Sequence, residues 1–334
     1  MRAILDAVMS GHHLSESDAY LVMKALAHDE TPAAVGGALL AALRTKGESA
    51  AEVRGMAKGM RDLALPVPLP HDGPPVVDTC GTGGDGSGSL NLSTAAALVA
   101  AAAGLRVVKH GNRSISSRSG SADVLEAMGI PIDLGPSLAA EALVDPGFVF
   151  LFAPNYHPAM KQIMPIRRAL GTRTVFNILG PLSNPARPRF QVVGAFSLGV
   201  AETMAHALSG MEIERAFVVH GAEGWDEATP LGPYHLLDVR PGSVTATTRD
   251  PMEAGVSRCT AADLEGGDAE ENARALEAML LGEAGPHQDA ACLSAGLALE
   301  VCGEAQDHRE GVERARAAIH DGRAARLLAK LRGA

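Results

Sequence analysis

Aromatic side chains are scarce in this sequence: 1 Trp, 3 Tyr and 7 Phe amount to 3% of 334 residues. Stacking surfaces for single-stranded nucleic acid are built from such rings, so that class is disfavoured at once. The core must instead come from Ala, Leu, Val and Ile. Positive charge is also short. Lys and Arg number 29 against 39 Asp and Glu, a net charge of -10, whereas nucleic-acid surfaces are normally basic. An acidic chain can still hold a phosphate-bearing small molecule, given a local nest of N–H groups and a divalent cation. Cysteine is sparse and unpatterned. Cys80, Cys259, Cys292 and Cys302 show no C-x-x-C spacing, which argues against zinc and disulfide frameworks. Free thiols fit a cytoplasmic enzyme. Long apolar runs are missing too. The stretch Ala95–Ala103 has nine residues, far below the roughly 20 of a membrane helix. The start, MRAILDAVMSGHH, is too short in its apolar part for a signal peptide. Neither a nucleic acid nor a membrane is expected as partner.

What is present falls into two parts. Residues 1–65 read as helices only. Ile4, Leu5, Val8 and Met9 have helical spacing, and Gly11 ends that pattern. Ser15 caps a second helix, with Asp18 in the capping-box position and Leu21, Val22 and Leu26 as its apolar stripe. Thr31-Pro32 starts a third, with Thr as cap and Pro at the first helical position, and Ser49 opens a fourth. The segment LPVPLPHDGPP, residues 65–75, cannot continue a helix. Beyond it, Val76–Cys80 reads as a buried strand, Thr94–Ala103 as a helix ended by Gly104, and Leu105–Lys109 as a second strand. Strand, loop, helix, strand is a βαβ unit, so the sheet is at least partly parallel. Further strands are expected at 148–152, 191–195 and 216–220, with helices at 200–208 and 271–281. A Pro-bounded, helix-like stretch at 158–185 interrupts the alternation.

The loop between the first two strands carries the chemistry. Gly81-Thr82-Gly83-Gly84-Asp85-Gly86 matches G-x-G-x-x-G, but the dinucleotide reading fails on context. Such a loop turns directly into its helix, and an acidic residue follows the second strand. Here seven further residues precede Thr94, and the second strand runs into Lys109-His110-Gly111-Asn112-Arg113. No Gly-Lys-Ser/Thr follows, so it is not a Walker loop either. What remains is a long anion cradle: glycines expose backbone N–H groups, and Ser93 or Thr94 opens a helix whose N-terminus favours negative charge. The second loop, KHGNRSISSRSGS, repeats the logic with Lys109, Arg113, Arg118 and five serines. Both loops lie at the same edge of a parallel sheet, where ligands of such sheets bind.

The stretches DTCGTGGDGSGSLNLST, VVKHGNRSISSRSGSADVLEAMGI, FLFAPNYHPAM, MPIRRALGTRTVFNILGPLSNP, HGAEGWDEAT and EGGDAEENA stand in this order along the chain. In them the chain resembles the anthranilate phosphoribosyltransferase family over essentially its whole length. The resemblance implies a small all-helical domain, residues 1–65, plus a large α/β domain, residues 75–334, with a central, largely parallel sheet. Part of 160–185 would return to the helical domain, and a homodimer would form through it. It implies transfer of phosphoribosyl from phosphoribosyl pyrophosphate (PRPP) to the amine of anthranilate, with Mg2+ as cofactor. For PRPP it implies Gly81, Gly84, Asp85, Ser89, Asn91, Leu92, Ser93, Thr94, Lys109, His110, Gly111, Asn112, Ser117 and Ser121. For anthranilate it implies Gly81, Asn112 and Arg167; for the metal, Ser93, Asp226 and Glu227. No nucleophile or base is implied.

The residues themselves are compatible with these roles. Asp226-Glu227 follows the strand-like AFVVHG, and magnesium needs only one or two carboxylates beside phosphate oxygens. An acidic dipeptide in a loop is also ordinary solvated surface. Arg167 adjoins Arg168, and either could be a surface arginine, although one planar fork suits a substrate carboxylate. Tyr156 and His157 are candidates to pack beside the aromatic substrate, or simply to fill space. Three positions depart from the commonest family pattern: Ser89-Leu90, Trp225 and Ser294. Two rivals are a pyrimidine nucleoside phosphorylase, without the acidic metal pair, and a nucleic-acid-binding relative with a basic groove.

Overall fold

The computed structural model describes residues 1–28, 30–69, 72–114 and 118–333. It opens with four helices, α1 (Arg2–Met9), α2 (Glu16–Leu26), α3 (Ala33–Lys46) and α4 (Ala50–Asp62). Ser15 caps α2 by accepting from the Asp18 amide. Ser49 and Glu52 form a reciprocal capping box on α4. The start of α3 comes one residue later than expected. Pro32 is the cap, and the Thr31 hydroxyl instead donates to the Ala25 carbonyl at the end of α2. Leu21 is not part of the buried stripe but 56% exposed; Ala19 and Met23 face inward with Val22 and Leu26.

The remainder alternates strands and helices: β1 (Val76–Gly81), α5 (Leu92–Ala102), β2 (Arg106–Gly111), α6 (Ser121–Ala127), α7 (Pro136–Val144) and β3 (Phe148–Phe152). Three helices then interrupt, α8 (Ala153–Tyr156), α9 (Met160–Leu170) and α10 (Phe176–Leu179). Next come β4 (Phe190–Gly194), α11 (Leu198–Leu208), β5 (Arg215–His220), β6 (Tyr234–Arg240) and β7 (Ser243–Arg249). Four helices close the chain: α12 (Ala269–Leu280), α13 (Pro286–Val301), α14 (His308–His320) and α15 (Arg323–Arg332).

These strands make one seven-stranded sheet of order β3-β2-β1-β4-β5-β6-β7. The first five are mutually parallel, and β6 lies antiparallel to both β5 and β7. The chain steps from β1 to β2 on one side and later returns to β4 on the other. The carboxyl end of β1 is therefore a switch point, where open α/β sheets leave a crevice for ligands. One face of the sheet is covered by α5 and the α12–α15 group around the largest core. Apart from Ser93, every residue of α5 is buried, and small alanines let it fit between the sheet and α13. The other face shares a core with α1–α4, into which α9 inserts Ile163 and Ile166. No helix among the described residues is long and apolar enough to cross a membrane.

Candidate active site

The loop after β1 returns sharply on itself. Gly83, Gly84, Gly86 and Gly88 all have positive φ, between +65° and +78°, a region costly to residues with a Cβ. The loop is met by Asp226 and Glu227, which follow β5 and reach across β4. The Asp226 carboxylate accepts from the Gly83 amide at 2.6 Å and the Thr82 hydroxyl at 3.4 Å. A Cβ on Gly81 would collide with that carboxylate. Glu227 Oε1 accepts from the Ser93 amide at 3.0 Å. Asp85 Oδ2 accepts from the Asp226 amide at 3.3 Å, and its Oδ1 takes the Ser87 amide and hydroxyl. Ser87 Oγ in turn accepts from the Ser89 hydroxyl at 3.2 Å. The carboxylates thus occupy amides that an anionic ligand would otherwise claim.

Charge is crowded here. Burial, then the neighbouring Asp85 charge, pushes Asp226 up to about 7. Burial, then Asp226, pushes Glu227 up to about 8. A cation that acts on Glu227 is Lys109, fully buried on β2, whose Nζ donates to the Thr79 carbonyl at 2.6 Å and to Ser93 Oγ at 3.1 Å. Burial draws the Lys109 pKa down against the pull of Asp78. Leu92 and Thr94 are buried side chains, and their amides bond inside the loop to Leu90 and Asn91. The helix begins at Leu92 with Asn91 as cap, two residues before the expected Thr94.

β2 runs two residues further than expected, to Gly111, so Lys109 and His110 point to opposite faces of the sheet. The His110 ring turns away from Lys109 and meets His157, Nε2 to Nε2 at 3.1 Å. Burial pushes these imidazoles down to about 3 and about 4. Asn112 is exposed, and its carbonyl accepts from the Ala122 amide and the Ser121 hydroxyl, each at 3.2 Å. A Cβ on Gly111 would strike that hydroxyl. Arg113 is not aimed at the cradle; it pairs with Asp123 at 2.9 Å and Glu126 at 2.7 Å. Ser117 lies outside the described residues. Arg167, half-buried on α9, stacks its guanidinium 5.3 Å from the Phe176 ring centre and makes no ion pair among the described residues. Three residues past Leu170, Arg173 donates to the Gly84 carbonyl and stacks 4.4 Å from the Phe196 ring centre. That contact brings the end of α9 to the glycine-rich loop.

Comparison with known proteins agrees with this layout. Residues 73–325 match a family model described as the glycosyl transferase family, a/b domain, and residues 2–64 match its helical bundle domain. The chain is 47% identical over 331 residues to an anthranilate phosphoribosyltransferase of Desulforudis audaxviator, covering 99% of this chain and 95% of that one. It is 46% identical over 332 residues to one of Azospirillum brasilense, covering 99% and 92%. The chain belongs to the anthranilate phosphoribosyltransferase family. The crystal structure of such an enzyme from Thermus thermophilus superposes with a TM-score of 0.93 at 43% identity, covering 99% of this chain and 98% of that one. The Saccharomyces cerevisiae enzyme in complex with PRPP and Mg gives a TM-score of 0.88 at 27% identity, covering 99% and 96%.

For a phosphoribosyltransferase of this family, the acid pair fits magnesium by its donor chemistry: two carboxylates and the Ser93 hydroxyl are hard oxygen donors. Among the described residues, no group of three or more His, Cys, Asp or Glu is placed to hold a metal ion alone. That suits an ion completed by substrate phosphates and water. Of the positions that depart from the family pattern, Ser89 stands in the glycine-rich loop itself, and Leu90, Trp225 and Ser294 fall behind the site. Leu90 and Trp225 are buried in the main core. Ser294 donates to the Ala228 carbonyl at 3.3 Å, below the acid pair. Tyr156 is a packing residue: it is 1% exposed, and its hydroxyl donates to the Leu134 carbonyl. Arg173, Asp78 and Asn184 are additions that sequence reasoning missed. Asn184 donates to the fully buried Asp78 at 2.8 Å, beneath β2. Nothing in the local pattern of these residues marks them; only the tertiary contact does.

Proposed function

We propose that this enzyme transfers the phosphoribosyl group of PRPP to the amine of anthranilate and releases pyrophosphate. The observation that carries the reading is the glycine-rich cradle at the switch point, crossed by Asp226 and Glu227 and backed by buried Lys109. PRPP is assigned to Gly81, Gly84, Asp85, Ser89, Asn91, the 92–94 segment, Lys109–Asn112, Ser117 and Ser121. Anthranilate is assigned to Gly81, Asn112 and Arg167. Mg2+ is assigned to Ser93, Asp226 and Glu227, where it supplies a Lewis acid and template for the leaving group.

The chain's own residues do the rest. Incoming phosphate oxygens take over the amides of Gly83 and Ser93, which frees both carboxylates for the cation. Lys109 holds positive charge where the leaving oxygen develops negative charge. Arg167, with no acidic partner among the described residues, offers a planar fork to the anthranilate carboxylate. An aniline-type amine is neutral at pH 7, so its lone pair needs no base. It attacks C1 of the ribose, the bond from C1 to the pyrophosphate oxygen breaks, and the amine proton leaves afterwards. Most of the rate then comes from placing the two substrates together.

The same reading assigns residues 1–65, with part of 160–185, to a helical domain and 75–334 to the PRPP-binding domain. It places the enzyme in the cytoplasm as a homodimer. Four unpaired cysteines support the compartment. Two exposed apolar side chains of the helical unit, Met9 at 69% and Leu21 at 56%, support the assembly. The test is the loss of anthranilate fluorescence, followed with PRPP and magnesium present or singly omitted. Consumption should require both, and an Asp226→Asn, Glu227→Gln double variant should lose it while keeping its fold. Consumption of anthranilate without magnesium, or in the double variant, would overturn the metal assignment.

A further inference from the structure

The segment Glu265-Gly266-Gly267-Asp268, just before α12, lies against the tail of the glycine-rich loop. The Leu90 amide donates to the Leu264 carbonyl at 3.0 Å, and the Gly266 amide donates to the Gly88 carbonyl at 2.9 Å. Ser89 and Glu265 form an isolated antiparallel bridge. A Cβ on Gly266 would lie 2.6 Å from the Ser89 carbonyl oxygen, so only glycine permits this approach. One turn into α12 stands Asn272, 2% exposed. Its Oδ1 accepts from the Gly267 amide at 2.6 Å, and its Nδ2 donates to Asn91 Oδ1 at 2.9 Å. Asn91 then donates from Nδ2 to the Ser119 carbonyl at 3.1 Å. Asn91 occupies the cap position of α5 but makes no side-chain cap bond there. Its side chain works laterally.

Two side-chain amides in series, Asn272 buried and Asn91 half-buried, therefore join three loops: the segment before α12, the end of the glycine-rich loop, and the end of the loop after β2. Each amide has both a donor and an acceptor engaged, so the direction of the chain is fixed. Asn272 Nδ2 must donate, because Asn91 Nδ2 is needed for Ser119. We infer that Asn272 is a positioning residue for PRPP: through Asn91 it sets the spacing of the two phosphate-binding loops. The inference rests on the reading of those loops as the PRPP cradle. Asn272 touches no proposed substrate atom, and its effect on substrate passes through Asn91.

The experiment is a double-mutant cycle on the full-length enzyme, with Asn272→Ala, Asn91→Ala and the pair, reading KM for PRPP, KM for anthranilate and kcat. Asn272→Ala should raise the PRPP KM by roughly tenfold, the scale of one lost hydrogen bond. The anthranilate KM should stay within about twofold. Because both residues act on one contact, the pair should be no worse than Asn91→Ala alone. Asn272→Asp covers the case in which the alanine variant fails to fold. Its carboxylate still accepts from Gly267 but cannot donate to Asn91. If the Asn91 amide flips to meet it, the bond to Ser119 is lost, so the PRPP KM should rise again. A lowered melting temperature with both KM values unmoved would show a merely structural role and overturn the inference, as would full additivity in the cycle. An unchanged PRPP KM in Asn91→Ala would instead overturn the cradle reading at that residue.

Discussion

Arg167 is a half-buried guanidinium that faces a ring and, among the described residues, pairs with no carboxylate. If anthranilate supplies the missing acid, Arg167→Ala strands a desolvated charge. Removing one side of such a pair costs about 2–5 kcal/mol, or roughly 30-fold to several thousand-fold. The loss should fall on kcat/KM for anthranilate, with the PRPP KM far less affected. Arg167→Lys should restore only part of it, and the exposed Arg168→Ala should be mild. Equal, small effects of the two alanine variants would remove Arg167 from this role. The His110–His157 pair makes a prediction in pH. Both imidazoles are held down, to about 3 and about 4, by burial. Below an unfolded value of about 6.5, the unfolded chain takes up protons that the folded chain refuses. The stability is thus present above pH 6.5 and is lost as pH falls. Asp78, raised to about 6 by burial, acts with the opposite sign as it titrates. His157→Gln removes one of the two histidine contributions and should flatten the acid limb of urea unfolding between pH 6.5 and 4.5. The difference should approach about 1.4 kcal/mol per pH unit; parallel limbs would sink the idea. The glycines and hydroxyls that crowd the two loops are legible at this scale, but where a side chain points is not. Arg113 looks like a phosphate ligand in the sequence, yet Asp123 and Glu126 on α6 claim it.

At the scale of elements, the glycine-rich loop is held from two sides. Gly84 has φ +73°, and a Cβ there would lie 2.9 Å from Arg173 Nη2. Gly84→Val would strain the backbone and displace Arg173 together. Titration calorimetry should show weakened PRPP binding, with anthranilate binding in the presence of excess pyrophosphate nearly intact. Normal PRPP affinity in that variant would mean the loop is not the cradle. Caps and strands with a clear apolar core are readable from sequence: Ser15, Ser49 and β3 fall where local chemistry puts them. The hairpin β6–β7 carries a signal too, Pro241-Gly242 between two short runs, but its solvent-facing threonines lack the apolar density that marks a strand. β2 runs past the expected Lys109 because His110 and Gly111 continue the ladder with β3. Propensity favours ending a strand before such a glycine, and tertiary pairing overrides it.

For the whole molecule, the division into a helical start and a sheet-based remainder follows from periodicity alone. The docking of α9 against α3 does not, since Ile163 and Ile166 carry no mark of which core they join. The same helical unit leaves Met9 and Leu21 exposed. A two-fold interface that covers exposed apolar side chains of this unit is the simplest closed arrangement. Light scattering should give twice the mass of one chain at micromolar concentration, and Leu21→Glu should shift it toward one. A single-chain mass at high concentration would reject the dimer.

The bond between the Gly83 amide and Asp226 joins residues 143 apart in the chain, and that between Ser93 and Glu227 joins residues 134 apart. At synthesis rates of roughly 5–20 residues per second, the glycine-rich loop leaves the ribosome roughly 7–30 seconds before its acidic partners exist. β1 must likewise wait for β4, its neighbour on one side. The loop's amides spend that interval bonded to water, and the crevice closes among the last events of folding because such distant contacts come late. A chain halted before residue 226 would carry every glycine of the loop and neither of the carboxylates that cross it.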